Sequence, residues 1–191
     1  MRVIGGVLRG RRFRAPRRGV RPTSDRVRES LFALLGDVAD ASVLDLYAGS
    51  GALGIEALSR GASDVVFVEH APASVSLLKR NLAALSLTER SRVLRDDALH
   101  GLRRLAREGA RFDLVLADPP YAAGELDRLL HGIAAAGVLL PGGTLVVERG
   151  RRHPVLPASV PGLRLVEHRE YGDTVITRFA GSRDPGDQDD R

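Results

Sequence analysis

The sequence predicts an α/β fold built on a doubly wound, mostly parallel sheet. Short runs rich in Val and Leu, typical of buried parallel strands, alternate with longer stretches whose apolar residues recur at helical spacing. Right-handed crossovers between such strands would bring their carboxyl ends, several of which carry Gly or acidic residues, to one edge of the sheet. With 191 residues, the chain is long enough for a full core in a single domain.

The first 22 residues predict a small basic arm. Residues 1–8 and 11–13 flank Arg9 and Gly10 and can pair as a β-hairpin. Residues 1–28 contain ten arginines and one acid, a net charge of +9, whereas the remaining residues sum to −4. Arginine forms paired hydrogen bonds with phosphate, so we interpret the arm as a nucleic-acid-binding segment. The alternative is a solvated basic strand pair in a chain that prefers arginine to lysine. The candidate contacts are Arg2, Arg9, Arg11, Arg12, Arg14, Arg17, Arg18, Arg21, Arg26 and Arg28. For Arg26 and Arg28 the alternative is a contact with the carboxylate of a cofactor.

The main domain is expected to span residues 23–180. Thr23 or Ser24 can cap a first helix that runs to about residue 35. Parallel strands are then predicted near 43–47, 64–69, 91–95, 113–117 and 143–148, alternating with helices near 52–60, 72–86, 98–108 and 124–136. A turn is expected at 140–143, and two last strands near 163–169 and 174–179 should close the sheet as an antiparallel pair. Residues 181–191, which include four aspartates, are predicted to form a disordered acidic tail.

A glycine-rich loop separates the first predicted strand from its helix. Gly49, Gly51 and Gly54 satisfy the pattern G-x-G-x-x-G, whose glycines permit a tight turn, close approach of a ligand and tight helix packing. Glu69 ends the next strand, twenty residues after Gly49, where a carboxylate can accept both hydroxyls of a ribose. The loop therefore predicts a site for an adenosine-bearing cofactor.

Asp45 favours S-adenosylmethionine among such cofactors, since a carboxylate just before the loop can face an ammonium group. No feature nearby is typical of a nicotinamide or a 2′-phosphate. The alternative for Asp45 is a solvated strand residue. Asp97, at the end of the third strand, is the candidate for the adenine amine; Asp96 is the competing residue, and either could simply cap the helix that follows.

The tetrapeptide Asp118-Pro119-Pro120-Tyr121 follows the apolar run 112–117 and predicts an active site at a strand end. Neither proline can donate to a sheet, so the strand stops and leaves the Asp118 carboxylate at the ligand-binding edge. Fixed φ angles at both prolines hold carboxylate, carbonyl and aromatic ring in one mutual geometry. Such a group suits a flat ligand that bears an amine. The alternative is a strand-terminating turn with a helix-capping Asp.

Residues 45–54 followed by 118–121 resemble the motifs of class I S-adenosylmethionine-dependent amino-methyltransferases. With residues 4–11 and 21–32, the chain is similar to the RsmD family of bacterial 16S rRNA guanine-N2 methyltransferases over roughly residues 1–180. The resemblance implies a seven-stranded Rossmann-like sheet, and guanine 966 of 16S rRNA, in the small subunit or its assembly intermediate, as the substrate. It also implies Asp118, Pro119, Pro120 and Tyr121 as catalytic, and Asp45, Ala48, Gly49, Gly51, Gly54, Glu69, Asp97 and Ala98 as cofactor-binding residues.

Composition argues against several other classes of protein. The chain has no cysteine, which removes disulfides, cysteine-ligated zinc and a thiol nucleophile, and its five histidines lack metal-ligand spacing. We therefore expect no metal. No apolar stretch is long enough to cross a bilayer and no leader is evident, so we expect a cytoplasmic protein, by default a monomer.

Four other functions are weighed against this interpretation. A DNA adenine or cytosine methyltransferase would use the same motif but usually needs a sizeable recognition domain. A protein-glutamine methyltransferase has Asn where this chain has Asp118. A non-enzymatic RNA-binding module would leave the glycine loop without a purpose, and a nicotinamide oxidoreductase would lack an evident proton donor.

Overall fold

The computed structural model describes residues 1–15, 24–120, 124–151 and 160–182. Its helices are α1 (Asp25–Leu35), α2 (Ala52–Ser59), α3 (Pro72–Ala84), α4 (Ala98–Arg107) and α5 (Glu125–Ala136), with a short 3₁₀ turn at Thr88–Arg90. Its strands are β1 (Ser42–Leu46), β2 (Asp64–Glu69), β3 (Ser91–Arg95), β4 (Phe112–Ala117), β5 (Leu139–Gly150), β6 (Leu163–Tyr171) and β7 (Thr174–Gly181). None of the helices within these ranges is both long and apolar enough to cross a membrane.

The seven strands form one sheet in the order β3-β2-β1-β4-β5-β7-β6. The first five run parallel, whereas β7 pairs antiparallel with both β5 and β6. The chain winds outward in both directions from β1, so the strand order reverses between β1 and β4. Open α/β sheets bind ligands beside such a reversal, at the carboxyl ends of the strands. The predicted doubly wound, seven-stranded sheet is confirmed.

The two faces of the sheet carry separate apolar cores. One contains Leu31 and Phe32 of α1 together with buried residues of α2 and α3, and the other is built from α4 and α5 around Leu129 and Leu130. The central strands are therefore buried on both faces, which explains why their sequences are continuous apolar runs rather than alternating ones.

Two helix starts agree with the sequence-based predictions. The Ser24 hydroxyl caps α1, accepting a hydrogen bond from the Val27 amide at 3.3 Å; Thr23, the other candidate, lies outside the described residues. Pro72 stands in the first turn of α3, where its missing N–H leaves no bond unmade.

The prediction that a turn at residues 140–143 precedes the fifth strand is wrong, because β5 already begins at Leu139. Leu139 pairs with Phe112 of β4, and pairing resumes at Leu114 and Thr144 after a register shift. Gly142 has a φ of 77° inside this irregular stretch. The residues that favour a turn therefore form a bulge within a longer strand.

Within residues 1–15 the arm folds back on itself through a single antiparallel bridge, Arg2 with Arg12, and not through extended strands. Val3 and Phe13 are buried against α1 and α2. The Ile4 and Gly5 amides, at 2.8 and 2.7 Å, donate to the carboxylate of Glu56 on α2, so this backbone does not join a sheet. The described part of the arm thus packs on the main domain. The tail beyond residue 182 lies outside the described residues.

Candidate active site

The glycine loop joins β1 to α2 at the carboxyl edge of the sheet. Gly51 caps α2 in the left-handed conformation, with a φ of 84°. A β-carbon at Gly54 would overlap the Phe67 ring of β2, so α2 can approach the sheet only because this residue has no side chain. Gly49 also has a positive φ, and the space beside its α-carbon is open. A ligand can therefore approach the bare backbone at Gly49.

Asp45 lies inside β1 and is almost completely buried, so the alternative of a solvated strand residue is wrong. Its carboxylate accepts a hydrogen bond from the Gly54 amide at 2.9 Å and ties the strand to the first turn of α2. Burial raises the pKa of Asp45 to about 7, opposed by the Gly54 hydrogen bond and reinforced by the charge of Glu69. A contact with a ligand ammonium stays a prediction.

Glu69 ends β2 directly beside the loop. One carboxylate oxygen accepts from the Gly49 amide and the other from the Ala71 amide, both at 2.8 Å. These bonds fix the carboxylate, but a carboxylate offers about four acceptor positions, so two hydroxyls can still bind. Ala48 follows β1 at the start of the glycine loop. Its amide donates to the Val68 carbonyl at 3.1 Å and so links the end of β1 to β2.

Asp97 caps α4, accepting hydrogen bonds from the amides of Leu99 at 2.9 Å and His100 at 3.3 Å through one carboxylate oxygen. Asp96 accepts from the Asp97 amide, and Ala98 is buried beneath the helix start. The capping alternative is therefore realised at Asp97. Because only one oxygen serves as the cap, its role toward adenine stays a prediction.

Asp118 follows β4 at the same edge and is half-buried, with Pro119 buried and Pro120 exposed behind it. Burial and the nearby carboxylates of Glu148 and Asp45 together raise the pKa of Asp118 well above its usual range. Tyr121, the predicted stacking ring, lies outside the described residues. Among the described residues, no three acidic or histidine side chains converge in a way that could hold a metal ion.

The predicted arginine contacts divide into three groups. Six are exposed, namely Arg2, Arg9, Arg11, Arg12, Arg14 and Arg26, while Arg17, Arg18 and Arg21 lie outside the described residues. Arg28 is fully buried, which contradicts its assignment as a nucleic-acid contact. Its guanidinium bonds to Asp25 at 2.6 Å and to the Arg2 carbonyl at 2.9 Å, and stacks over Phe13. Arg28 therefore holds the arm against α1.

Three polar residues around this site were not predicted from the sequence. Glu56 is fully buried and binds the arm. Asn81 of α3 pairs with both backbone groups of Arg14 at 3.0 Å and donates to the Ser50 carbonyl of the glycine loop at 2.9 Å. Glu148 is buried near the end of β5. Glu56 interrupts an apolar stretch and Glu148 ends one, and these positions are the signals that could have marked them. Asn81 follows Lys79 and Arg80, so the local sequence gives no such signal for it.

The strand order, the glycine loop and the acidic groups at the carboxyl edge define a class I, S-adenosylmethionine-dependent methyltransferase. The profile of the family described as Conserved hypothetical protein 95 matches residues 1–180, and the chain belongs to this family. The predicted resemblance to RsmD proteins is thereby confirmed.

Individual relatives agree with this assignment. The chain is 39% identical to YlbH of Bacillus subtilis, over 94% of this chain and 98% of the relative. It is also 39% identical to Ribosomal RNA small subunit methyltransferase D of Escherichia coli K12, over 83% of this chain and 80% of the relative. The solved structure of yhhF from Escherichia coli superposes with a TM-score of 0.81 at 36% identity, covering 95% and 98% of the two chains.

Proposed function

We propose that this protein transfers a methyl group from S-adenosylmethionine to the exocyclic N2 amine of a guanine in small-subunit (16S) rRNA. The observation that carries the proposal is the position of Asp118, half-buried at the end of β4 and next to the glycine loop that follows β1. The name of the Escherichia coli relative, Ribosomal RNA small subunit methyltransferase D, supports the choice of acceptor.

The residues around the loop fit the cofactor. Open space beside Gly49 admits a ligand, Glu69 is fixed where it can accept ribose hydroxyls, and one Asp97 oxygen is available for the adenine amine. Bound S-adenosylmethionine supplies a methyl group on a positively charged sulfur, which an amine nitrogen can take. The buried carboxylate of Asp45 adds negative charge near the loop, suited to a cationic ligand.

Asp118 and the Pro119 carbonyl would act on the acceptor amine. The nitrogen lone pair of guanine N2 is delocalised into the ring, so the free amine is a poor nucleophile. Two acceptors that hold its hydrogens favour a pyramidal nitrogen whose lone pair points away from the ring. Catalysis is then chiefly a matter of positioning, and no dedicated general base is needed because the methylated amine loses its proton readily. We expect Tyr121 to stack on the extruded base.

The exposed arginines of the arm would bind the RNA backbone. Arg9, Arg12 and Arg14 are exposed on the described part of the arm, which packs beside the glycine loop. An arm this short suffices if an assembled or assembling small subunit presents its target base already exposed. A monomer that works in the cytoplasm is consistent with such a substrate.

Methyl transfer from labelled cofactor tests the proposal directly. Unmodified small subunits, naked rRNA, duplex DNA and a protein extract serve as acceptors, and the labelled nucleoside is identified by mass spectrometry. We expect N2-methylguanosine in the subunits, and none with Asp118→Ala, which should still bind cofactor. Label confined to DNA or to protein would overturn the proposal, as would normal turnover by Asp118→Ala. Cofactor binding without any transfer would favour a binding module.

A further inference from the structure

Glu148 lies beside Asp118 at the ligand-binding edge of the sheet. Ala117 of β4 pairs with Val147 of β5 in the parallel ladder, so the next residues along the two strands are Asp118 and Glu148. Neighbouring strands are about 4.8 Å apart. Glu148 is only 4% exposed, although it sits at an edge where the sheet meets its ligands.

The two carboxylates share one face of the sheet. Side chains alternate along a strand, so Glu148 projects to the same side as Val146, in the core that packs against α1 and α2. The charge of Glu148 acts on Asp118, since it is one cause of the raised pKa of Asp118. Two acceptors placed side by side at a buried edge match a ligand that offers two neighbouring N–H donors.

Guanine is the base whose edge has this pattern. Its ring N1–H lies next to the N2 amine, whereas adenine and cytosine present a ring-nitrogen lone pair next to their exocyclic amine. A carboxylate that faces an N–H gains a charge-assisted hydrogen bond, whereas one that faces a ring-nitrogen lone pair is repelled by it. A site of this kind can therefore reject the wrong base strongly.

We propose that Glu148 accepts the N1–H of the target guanine while Asp118 accepts a hydrogen of its N2 amine, so that Glu148 determines specificity for guanine. This inference rests on the proposed function. It adds to that function a residue that selects the base by its ring nitrogen, separate from the motif that holds the amine.

The base analogue 2,6-diaminopurine tests the proposed role of Glu148, because this base keeps the N2 amine but has a lone pair at N1. Small subunits are reconstituted from ligated rRNA with guanine or 2,6-diaminopurine at the target position, and assembly is verified by sedimentation. The full-length protein should methylate guanine at least about 100-fold faster. Glu148→Gln can turn its amide N–H2 toward the lone pair, so this preference should fall by about tenfold or more. Glu89→Gln, on an exposed turn, is the matched control and should keep the preference.

Two results would overturn the inference. One is equal rates on the two bases with the unaltered protein, a readout that requires no variant. The other is an unchanged preference in Glu148→Gln, or in Glu148→Ala if the glutamine variant does not fold, with cofactor affinity and melting temperature retained. Absence of methylguanosine from ordinary subunits is a different outcome, since it would refute the proposed function itself.

Discussion

At the scale of single residues, the site holds acidic groups in surroundings that disfavour their charge. Asp118 and Asp45 both have raised pKa values, chiefly because burial removes water from the carboxylates. A carboxyl whose pKa is higher in the folded state than in the unfolded chain binds its proton more tightly when folded. Stability from this source is present at low pH and is lost as pH rises through the folded-state pKa. The charged forms of these two carboxyl groups therefore cost the fold stability at neutral and alkaline pH.

Asp118→Asn should stabilise the cofactor-free protein. Asparagine keeps an acceptor oxygen and has no charge to bury, so the gain should be on the order of 1 kcal/mol at pH 8 and vanish near pH 4. In a domain of this size that corresponds to a rise in melting temperature of about 2–4 °C. Thermal unfolding at several pH values measures it, with Glu89→Gln as a control that should show no such trend. Equal destabilisation at pH 5 and pH 8 would contradict the expectation.

At the scale of elements, local chemistry predicts structure well where no distant partner intervenes. β2 and β3 have the bounds expected from their apolar runs, and Gly49, Gly51 and Gly54 form the predicted loop. Residues 140–143 have the composition of a turn, but pairing of Leu139 with Phe112 draws them into β5. That pairing depends on a strand more than twenty residues away, which a local pattern cannot reveal.

The same reason explains which site residues can be found from the sequence. Asp118 and Glu69 stand at strand ends, where their position along the chain already suggests a role. Asn81, Glu56 and Glu148 act on segments that are distant in sequence; the amide of Asn81, for example, contacts residues 31 and 67 positions away. The assignment of Arg28 was wrong because the sequence shows only its charge. It does not show that the side chain is buried against Phe13 and bonds to Asp25.

Asn81 joins three elements, so its replacement should affect the loop as well as stability. Asn81→Leu fills a similar volume but leaves the Arg14 amide and the carbonyls of Arg14 and Ser50 without their partner. An orphaned buried group costs about 1–3 kcal/mol. The Ser50 carbonyl is buried and the two Arg14 groups are partly buried, so the loss of stability should be roughly 2–4 kcal/mol. We expect cofactor affinity to fall about tenfold, equivalent to about 1.4 kcal/mol, because Ser50 lies within the glycine loop. Calorimetric titration with the cofactor measures this change in affinity.

Ser76→Ala is the control for this experiment, since Ser76 lies on the exposed side of α3 and bonds only to Arg80 among the described residues. It should leave both melting temperature and cofactor affinity near their original values. Loss of stability in Asn81→Leu without any change in cofactor affinity would show that the amide anchors the arm alone.

At the scale of the whole molecule, the described part of the arm contributes to the core and also carries exposed arginines. Val3 and Phe13 are buried, and the Glu56 carboxylate, fully enclosed, accepts the Ile4 and Gly5 amides as well as the Arg60 guanidinium at 2.8 Å. Deleting the arm would expose apolar surface and remove two of these donors. Truncation therefore cannot separate RNA binding from folding, and a test of the arm must change its charge alone.

Replacing Arg9, Arg12 and Arg14 together with Gln should reduce methylation while the fold and cofactor affinity persist, because all three side chains are exposed. For every arginine that no longer binds a phosphate, the slope of log affinity against log salt should become shallower by about 0.7, so the variant should be much less sensitive to salt. The matched control replaces Arg103, Arg107 and Arg111, exposed arginines on or just after α4, the helix that packs on the opposite face of the sheet. Binding of small subunits at increasing salt distinguishes the two variants. Equal losses in both would mean that net charge alone, and not the arm, holds the RNA.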